Sequence, residues 1–295
     1  MKDMFCFQCQ QTAHNTGCEG KAGVCGKKAD TANYQDEIIG ALIGLARAAK
    51  NGRPTESTDA LVEKALFTTI TNVNFNNSTI KAIKTEVEQE KHRISSEKFE
   101  DYSMPEIWDG NADIRSLKSL VLFGLKGMAA YAYHARMLGY LDEQVDAFFF
   151  EGLRAVGDRE AGMEELLPVV MKVGEINLKC MALLDRANTG SYGVPTPTTV
   201  PLTVEKGPFI VVTGHDLKDL ELLLEQTRDK GIHVYTHGEM LPAHAYPRLH
   251  AYPHLKGNFG TAWQNQQKEF ADLPAPILFT TNCLMPPKPS YADRV

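Results

Sequence analysis

The chain has 295 residues, of which 43% are hydrophobic and 23% charged, and a formal net charge of −6 at pH 7. This composition is typical of a soluble globular protein with room for two domains, and the acidic balance without a basic run excludes a nucleic-acid role. No apolar segment follows Met1 before Cys6, and the most apolar stretch, 120–135, is interrupted by Lys126. We therefore predict no signal peptide, no membrane span and a cytoplasmic location.

Four of the six cysteines, spaced C-x2-C-x8-C-x6-C, stand near the N-terminus: Cys6, Cys9, Cys18 and Cys25. Four thiolates so close along the chain can surround one metal centre. Structural zinc usually takes two tight pairs, whereas here only the first pair is tight and the other two cysteines stand singly in glycine-rich loops. Backbone N–H groups in such loops can donate to cluster sulfurs. The pattern favours an iron–sulfur cluster, with zinc and disulfides as alternatives, and a reducing cytoplasm disfavours disulfides.

The segment after the cysteines predicts a bundle of helices. Apolar residues at helical spacing predict a first helix after the polar run 27–35 and two further helices that begin near Ser57 and Ile80. The same spacing predicts three later helices, at 116–139, 143–156 and 159–187. The charged span 84–102 is typical of a solvated helix end and loop. Gly124 and Gly127, in a helix interior, indicate close approach of a neighbouring helix or of the cysteine loop. Cys180 lies on an apolar stripe and is predicted to be a core residue rather than a ligand.

The pattern changes after a connector rich in proline and glycine at 188–208. Strands predicted at 209–213, 232–236 and 276–281 alternate with helices at 217–230 and around 263–270, which indicates a parallel, Rossmann-like sheet. No G-x-G-x-x-G follows the first strand, so a dinucleotide site lacks its main support. The predicted fold class is α + α/β. A cysteine-rich segment (1–30) and an all-α helical-bundle domain (31–204) precede a Rossmann-like α/β domain (205–295).

Each predicted strand is followed by a residue that can bind metal. His215 follows the first strand, the triplet from His237 to Glu239 follows the second, and Cys283 follows the third. Ligands bind beyond the carboxyl ends of strands in open parallel sheets, so these side chains are expected to converge. Taken singly, each has a plain structural interpretation, but an imidazole, a carboxylate and a thiolate at successive strand ends favour an iron site that also binds a small substrate.

Motifs in the same order along the whole chain resemble the hybrid cluster protein family, also called prismane protein or hydroxylamine reductase. They are Met4-Phe-Cys-Phe-Gln-Cys9-Gln, Thr16-Gly-Cys18, Val24-Cys25-Gly26-Lys27, Gly124-Leu-Lys-Gly-Met-Ala-Ala-Tyr-Ala, Gly214-His215-Asp-Leu, Tyr235-Thr-His-Gly-Glu239-Met-Leu-Pro, Gly257-Asn-Phe-Gly and Thr280-Thr-Asn-Cys283. The resemblance implies a helical domain followed by Rossmann-like domains, in agreement with the pattern of elements.

The resemblance also implies two cofactors. The four N-terminal cysteines would hold a [4Fe-4S] cluster, because the middle gap of the [2Fe-2S] members is longer. His215, Glu239 and Cys283 would be ligands of a hybrid [4Fe-2O-2S] cluster, with Glu239 and not His237 taken from the triplet. Glu239 is then the candidate catalytic residue, because a change in its coordination would free an iron for the substrate.

The activity that the resemblance implies is reduction of hydroxylamine to ammonia and water, with nitric oxide as a related substrate and a redox protein as electron donor. Family members are much longer, and further cysteines and a glutamate complete their hybrid cluster. No cysteine follows Cys283 here, and three protein ligands cannot close a four-iron cluster. We therefore expect an N-terminal half with an incomplete α/β domain and a missing C-terminal half. The alternatives are a non-catalytic electron-transfer module with one cluster and a zinc-binding helical protein.

Overall fold

The computed structural model describes residues 3–97 and 99–295. Met1 and Lys2, where the sequence was searched for a signal peptide, and Lys98, within the charged span, lie outside the described residues. The chain forms two compact units, one with the described residues up to Ile70 and Asn74–Asp185, the other with Thr71–Val73 and Arg186–Val295. In the described part, no helix has both the length and the apolar character needed to cross a membrane. The division at residues 30 and 204 stays a prediction.

Helices dominate the first unit, together with a small antiparallel ladder of β1 (Met4–Cys6) and β2 (Cys18–Gly20). The helices are α1 (Ala29–Ala48), α2 (Glu56–Thr68), α3 (Asn77–Ile94), α4 (Pro105–Trp108), α5 (Ala112–Met137), α6 (Glu143–Gly157) and α7 (Met163–Tyr192), whose last residues belong to the second unit. Helix α1 packs against α3 and α6, and α2 packs against α5. The central position of α1 explains why its apolar side chains are fully buried.

Two helices begin earlier than their apolar spacing predicts. Helix α5 begins at Ala112 because the side chain of Asn111 accepts hydrogen bonds from the N–H groups of Asp113 and Ile114. Helix α1 begins within the polar run, where Gln35 is buried and its Nε2 donates to the carbonyl oxygen of Thr68 at 3.1 Å. The start of α5 depends on a polar cap and the first turns of α1 contain a buried polar residue, neither of which a pattern of apolar residues shows.

The two interior glycines of α5 have different surroundings. A Cβ atom added at Gly124 would lie 2.4 Å from Cγ1 of Val173 in α7, so the predicted close approach of a neighbouring helix is confirmed there. A Cβ atom added at Gly127 would meet nothing within 4 Å. The same prediction is therefore wrong for Gly127.

The second unit is built on a parallel sheet. Its strands are β3 (Phe209–Thr213), β4 (His233–His237), β5 (Leu255–Phe259) and β6 (Ile277–Phe279), in the order β5-β4-β3-β6. Helix α8 (Leu217–Thr227) joins β3 to β4, and the short helices α9 (Pro247–His250) and α10 (Gln266–Glu269) follow later. The core of the sheet contains Val211, Tyr235, Phe270 and Ile277.

The α + α/β fold class with a parallel sheet is confirmed, but two details differ from the prediction. Strand β5 was missed because its sequence contains Lys256, Gly257 and Asn258, which are unfavourable in a strand. The side chain of Asn258 accepts a hydrogen bond from Thr236 Oγ1 at 2.9 Å, so this polar residue is satisfied inside the sheet. The helix predicted around 263–270 is a 3-10 turn, Trp263–Asn265, followed by α10.

Candidate metal centres

Three of the four N-terminal cysteines lie on the hairpin formed by β1 and β2. Cys6 is paired with Cys18 across the ladder, and Cys9 opens the turn between the strands, where its carbonyl oxygen accepts a hydrogen bond from the Thr12 N–H at 3.1 Å. The hydroxyl of Thr12 donates to the carbonyl oxygen of Cys6 at 3.1 Å and also lies 3.9 Å from Cys18 Sγ. Thr12, which no motif marked, therefore fixes the turn that carries the first three cysteines.

Cys25 stands in the next turn of the chain, just before α1. The N–H of Gly23 donates to the carbonyl oxygen of Lys27 at 2.8 Å, and the N–H of Gly26 donates to the carbonyl oxygen of Gly23 at 2.9 Å. These two bonds close a tight loop that presents Cys25 as a buried side chain. The loop is glycine-rich, as the sequence analysis noted.

The electrostatic surroundings of the two buried thiols differ. Burial raises the pKa of Cys25, and negative charge on Cys6 and Cys9 acts in the same direction, although the Lys27 N–H and side chain oppose it. Burial also acts to raise the pKa of Cys18, but hydrogen bonds from Val24 and Ala13 N–H groups and from Thr12 outweigh it and lower that pKa. Backbone N–H donors thus point at cysteine sulfur atoms, as expected for loops that hold an iron–sulfur cluster.

The structure does not gather the four cysteines into a closed metal site. Within residues 3–97 and 99–295, no three His, Cys, Asp or Glu side chains meet closely enough to ligate one metal ion, and all six cysteines are free thiols. Four thiols on one short segment, with backbone N–H groups directed at the sulfur of Cys18, are compatible with a cluster in which each thiolate binds a different iron. The assignment of these four residues as ligands stays a prediction.

A second group of candidate ligands lies in the second unit, beyond the carboxyl ends of β3 and β6. Gly214 follows β3 with φ of +115°, and a Cβ atom there would lie 2.1 Å from Thr280 Oγ1. Only glycine permits this close approach of the two loops. The N–H of His215 then donates to the carbonyl oxygen of Thr281 at 3.0 Å, and its Nε2 lies 3.6 Å from Cys283 Sγ. The structure therefore brings the imidazole and the thiol together.

Glu239 lies in the 3-10 helix Gly238–Ala245, directly after β4. Burial of part of the ring lowers the pKa of His215, and the charge of Glu239 acts against this effect. Burial raises the pKa of Cys283 to about 11, and the charge of Glu239 adds to that increase. Glu239 is thus within electrostatic range of both residues. All three follow carboxyl ends of strands in the same parallel sheet, but in the part of the chain that the structure describes no three such side chains meet closely enough to ligate one metal ion.

A buried glutamine that the sequence analysis missed holds this edge together. Gln266, in α10, is fully buried and donates from Nε2 to Thr213 Oγ1 at 3.1 Å and to the carbonyl oxygen of Cys283 at 3.0 Å. Its Oε1 accepts a hydrogen bond from the N–H of Met285 at 2.8 Å. Gln266 therefore ties the loop of Cys283 to the end of β3. No sequence signal marks it, because it is one of three glutamines in the polar run 264–269, which looks like a surface helix.

His237 and Cys180 both have structural surroundings. The ring of His237 is fully buried, with Nδ1 3.0 Å from Thr213 Oγ1 and Nε2 2.8 Å from Glu269 Oε2. Both ring nitrogens are engaged, so His237 has no free nitrogen for a metal. Cys180 is also fully buried, and its thiol lies 3.4 Å from the carbonyl oxygen of Met128, as expected for a core cysteine.

Comparison with known proteins gives consistent matches across the chain. Residues 4–295 match the sequence model of the Prismane/CO dehydrogenase family. Proteins named hydroxylamine reductase are 46% identical in Methanocella arvoryzae and 48% identical in Thermodesulfovibrio yellowstonii, and each alignment includes 99% of this chain. The alignments include 60% and 59% of those two proteins, so the chain spans about three fifths of the length of these relatives.

A solved structure of carbon monoxide dehydrogenase from Thermococcus sp. AM4, as isolated and without nickel, was also matched. The match covers 98% of this chain and 47% of that chain, with 14% identity and a TM-score of 0.36. A likeness of this degree is too weak to add to the fold or to the chemistry.

Proposed function

The chain belongs to the Prismane/CO dehydrogenase family, and from this premise we propose that it works in an iron–sulfur oxidoreductase that reduces hydroxylamine. Hydroxylamine takes up electrons and protons, its N–O bond breaks, and ammonia and water are released. Nitric oxide is a related candidate substrate. The name hydroxylamine reductase, which the relatives bear, supports the proposal.

The observation that carries the proposal is the contact between His215 and Cys283. Their Nε2 and Sγ atoms lie 3.6 Å apart at the carboxyl ends of β3 and β6, although the two residues are far apart in the sequence. A parallel sheet presents ligands at this edge. An imidazole and a thiol that meet there, within range of the Glu239 carboxylate, are the mixed donor set that an iron–sulfur–oxygen cluster requires.

Each residue then has a role. Cys6, Cys9, Cys18 and Cys25 would hold a [4Fe-4S] cluster that receives electrons from a redox donor protein. His215, Glu239 and Cys283 would supply part of the ligand set of a hybrid [4Fe-2O-2S] cluster. When bound, that cluster would supply iron to bind the substrate and electrons to reduce it. Gln266 holds Cys283 in place, and Glu239 is the group whose displacement would open the site. A cytoplasmic location, where thiols stay reduced, belongs to the same proposal.

The test is anaerobic purification and reconstitution of the chain with iron and sulfide, followed by analysis of iron, sulfide and zinc. We expect about four irons per chain if only the N-terminal cluster assembles and about eight if the hybrid cluster assembles as well. Hydroxylamine-dependent oxidation of a reduced viologen measures turnover. Cys9→Ser should abolish the N-terminal cluster, whereas Cys180→Ala, a matched change of a core cysteine, should leave the iron content unchanged.

Three outcomes separate the hypotheses. Hydroxylamine turnover by the wild type, together with its loss in the variant Cys283→Ser, supports the proposed enzyme. About four irons without turnover, even when the chain is part of a longer protein, supports the alternative of a non-catalytic electron-transfer module. Zinc without sulfide would contradict both and favour the zinc-binding protein.

A further inference from the structure

Two buried lysines lie beside the cysteine hairpin, and the proposed function does not use them. Lys126, in the middle of α5, is 8% exposed, and Lys27, next to the Cys25 loop, is 2% exposed. Lys126 Nζ donates to Gln8 Oε1 at 3.0 Å, and Gln8 Nε2 donates to the carbonyl oxygen of Thr69 at 3.1 Å. Gln8 stands between Cys6 and Cys9 in the sequence. The ammonium of Lys126 is therefore attached to the segment that carries the first two cysteines.

A small polar cavity separates these groups. It has a volume of about 20 Å³ and is lined by Cys6, Lys27, Gln35 and Lys126 among others. This volume is enough for about one water molecule. Oε1 of Gln35 is buried and has no hydrogen-bond partner among the described residues, so it can accept from a water in the cavity. Lys126 and Cys6 thus line the same small cavity.

The charges around this cavity do not balance without the cysteines. A buried ammonium is costly unless a negative group lies nearby. Asp36 and the Cys6 thiolate favour the charged form of Lys126, whereas Lys27 opposes it and burial lowers its pKa to about 8. One carboxylate faces two ammonium groups. The positive excess is compensated when the four cysteines are thiolates that hold a cluster.

We propose that Lys126 is a positioning residue for charge at the N-terminal cluster, where its buried ammonium stabilises the reduced state and raises the reduction potential. This inference rests on the proposed function, because it requires a cluster on the four cysteines. Uptake of one electron from the donor adds one negative charge to the cluster and its thiolates. A fixed positive charge nearby, in an environment of low dielectric constant, favours that uptake. Gln8 holds the ammonium in place.

The test is an anaerobic redox titration of the reconstituted chain, followed by electron paramagnetic resonance, for the wild type and three variants. Lys126→Met removes the charge, and Lys126→Arg keeps it. Lys118→Met is the matched control, because Lys118 is 4% exposed on the same helix but lies roughly 12 Å along the axis from Lys126.

For Lys126→Met we expect the equilibrium constant for cluster reduction to fall about tenfold, which is about 59 mV for a one-electron couple. Lys126→Arg and Lys118→Met should titrate close to the wild type. If Lys126→Met does not assemble a cluster, Lys126→Gln, which is neutral and can still donate to Gln8 Oε1, is titrated in its place. Thermal unfolding of each variant separates lost stability from a changed potential.

Two results would overturn the inference, and they are distinguishable. If the wild type assembles a cluster with a normal spectrum, and Lys126→Met has the same reduction potential as Lys118→Met, the role of Lys126 is contradicted. The proposed function is not affected by that result. A wild-type chain that binds iron and sulfide with no cluster signal, or binds only zinc, contradicts the proposed function and with it the inference.

Discussion

At the scale of single residues, Glu239 differs from its two neighbours at the sheet edge. The loop of Cys283 is held by Gln266, and the backbone of His215 is held by Thr281. Glu239 lies in a 3-10 helix and is exposed, with a charge that acts on both other residues. If these three residues bind the proposed cluster, Glu239 is the ligand best able to move.

The first prediction concerns this residue. In the complete protein, Glu239→Gln should lower hydroxylamine turnover at least tenfold, because an amide cannot replace the negative charge of a carboxylate ligand. The spectrum of the N-terminal cluster should not change. Glu221→Gln, on α8, is the control and should leave turnover unchanged. Full activity of Glu239→Gln, measured with a reduced viologen, would exclude a role for Glu239 as a movable ligand.

His244 leads to a prediction about pH. The ring is buried, its Nε2 lies 3.0 Å from Thr236 Oγ1, and burial lowers its pKa to about 4. In the unfolded chain a histidine titrates near 6.5, so the unfolded state takes up a proton first as the pH falls. The contribution of His244 to the free energy of unfolding should therefore be fully present above about pH 6.5. The free energy of unfolding should fall by up to about 3 kcal/mol as the pH decreases to about 4.

The variant His244→Gln should lose this pH dependence, because glutamine stays neutral and can still hydrogen-bond to Thr236. Urea unfolding at pH 7 and pH 5 measures the difference, and the exposed His92→Gln is the control. If wild type and His244→Gln lose stability equally between these pH values, His244 does not titrate as the structure implies.

At the scale of elements, the close packing of α5 against α7 gives a pair of opposite predictions. Gly124→Ala should destabilise the first unit by about 1–3 kcal/mol, because the new Cβ atom would lie 2.4 Å from Cγ1 of Val173. Gly127→Ala should stabilise it by about 1 kcal/mol, because the position is helical and open, and alanine loses less conformational entropy than glycine. Thermal unfolding of the two variants is the measurement, and shifts of the same sign would contradict the packing.

Elements with one apolar face were predictable from the sequence, whereas polar contacts over long sequence separations were not. Strand β3 was predicted at its observed bounds, because a run of β-branched residues there is followed by Gly214. Strand β5 was not, since it contains Asn258, whose side chain is satisfied in the sheet by hydrogen bonds to Thr236 and to the carbonyl oxygens of Phe259 and Gly260. The ligand candidates were found because metal-binding residue types follow strands. Gln266 was missed because its partners, Thr213 and Cys283, become neighbours only in the folded chain.

At the scale of the whole molecule, the two units differ in how much apolar core supports their candidate metal centres. The ligand edge of the second unit rests on a sheet with a core of seven buried residues, Tyr235 and Phe270 among them. The cysteine hairpin rests on a cluster of four buried residues, Met4, Cys18, Ala29 and Ala32, one of which is itself a candidate ligand. The hairpin has strands of only three residues each. If the four cysteines hold the proposed cluster, the stability of the hairpin should therefore depend on the metal more than that of the sheet does.

This difference predicts what removal of the metal will do. When an iron chelator removes the cluster from the reconstituted chain, hydrogen exchange should accelerate strongly in residues 4–27, where four thiols would lose their common partner. Protection in α6 and in the strands of the parallel sheet should change little, because the cluster of Met4, Cys18, Ala29 and Ala32 beneath the hairpin includes none of their residues. Mass spectrometry of exchanged peptides before and after chelation measures both regions in one sample. Equal acceleration in the hairpin and in the sheet would show that the metal stabilises the fold as a whole. Unchanged exchange in the hairpin would show that its own hydrogen bonds keep it folded without a cluster.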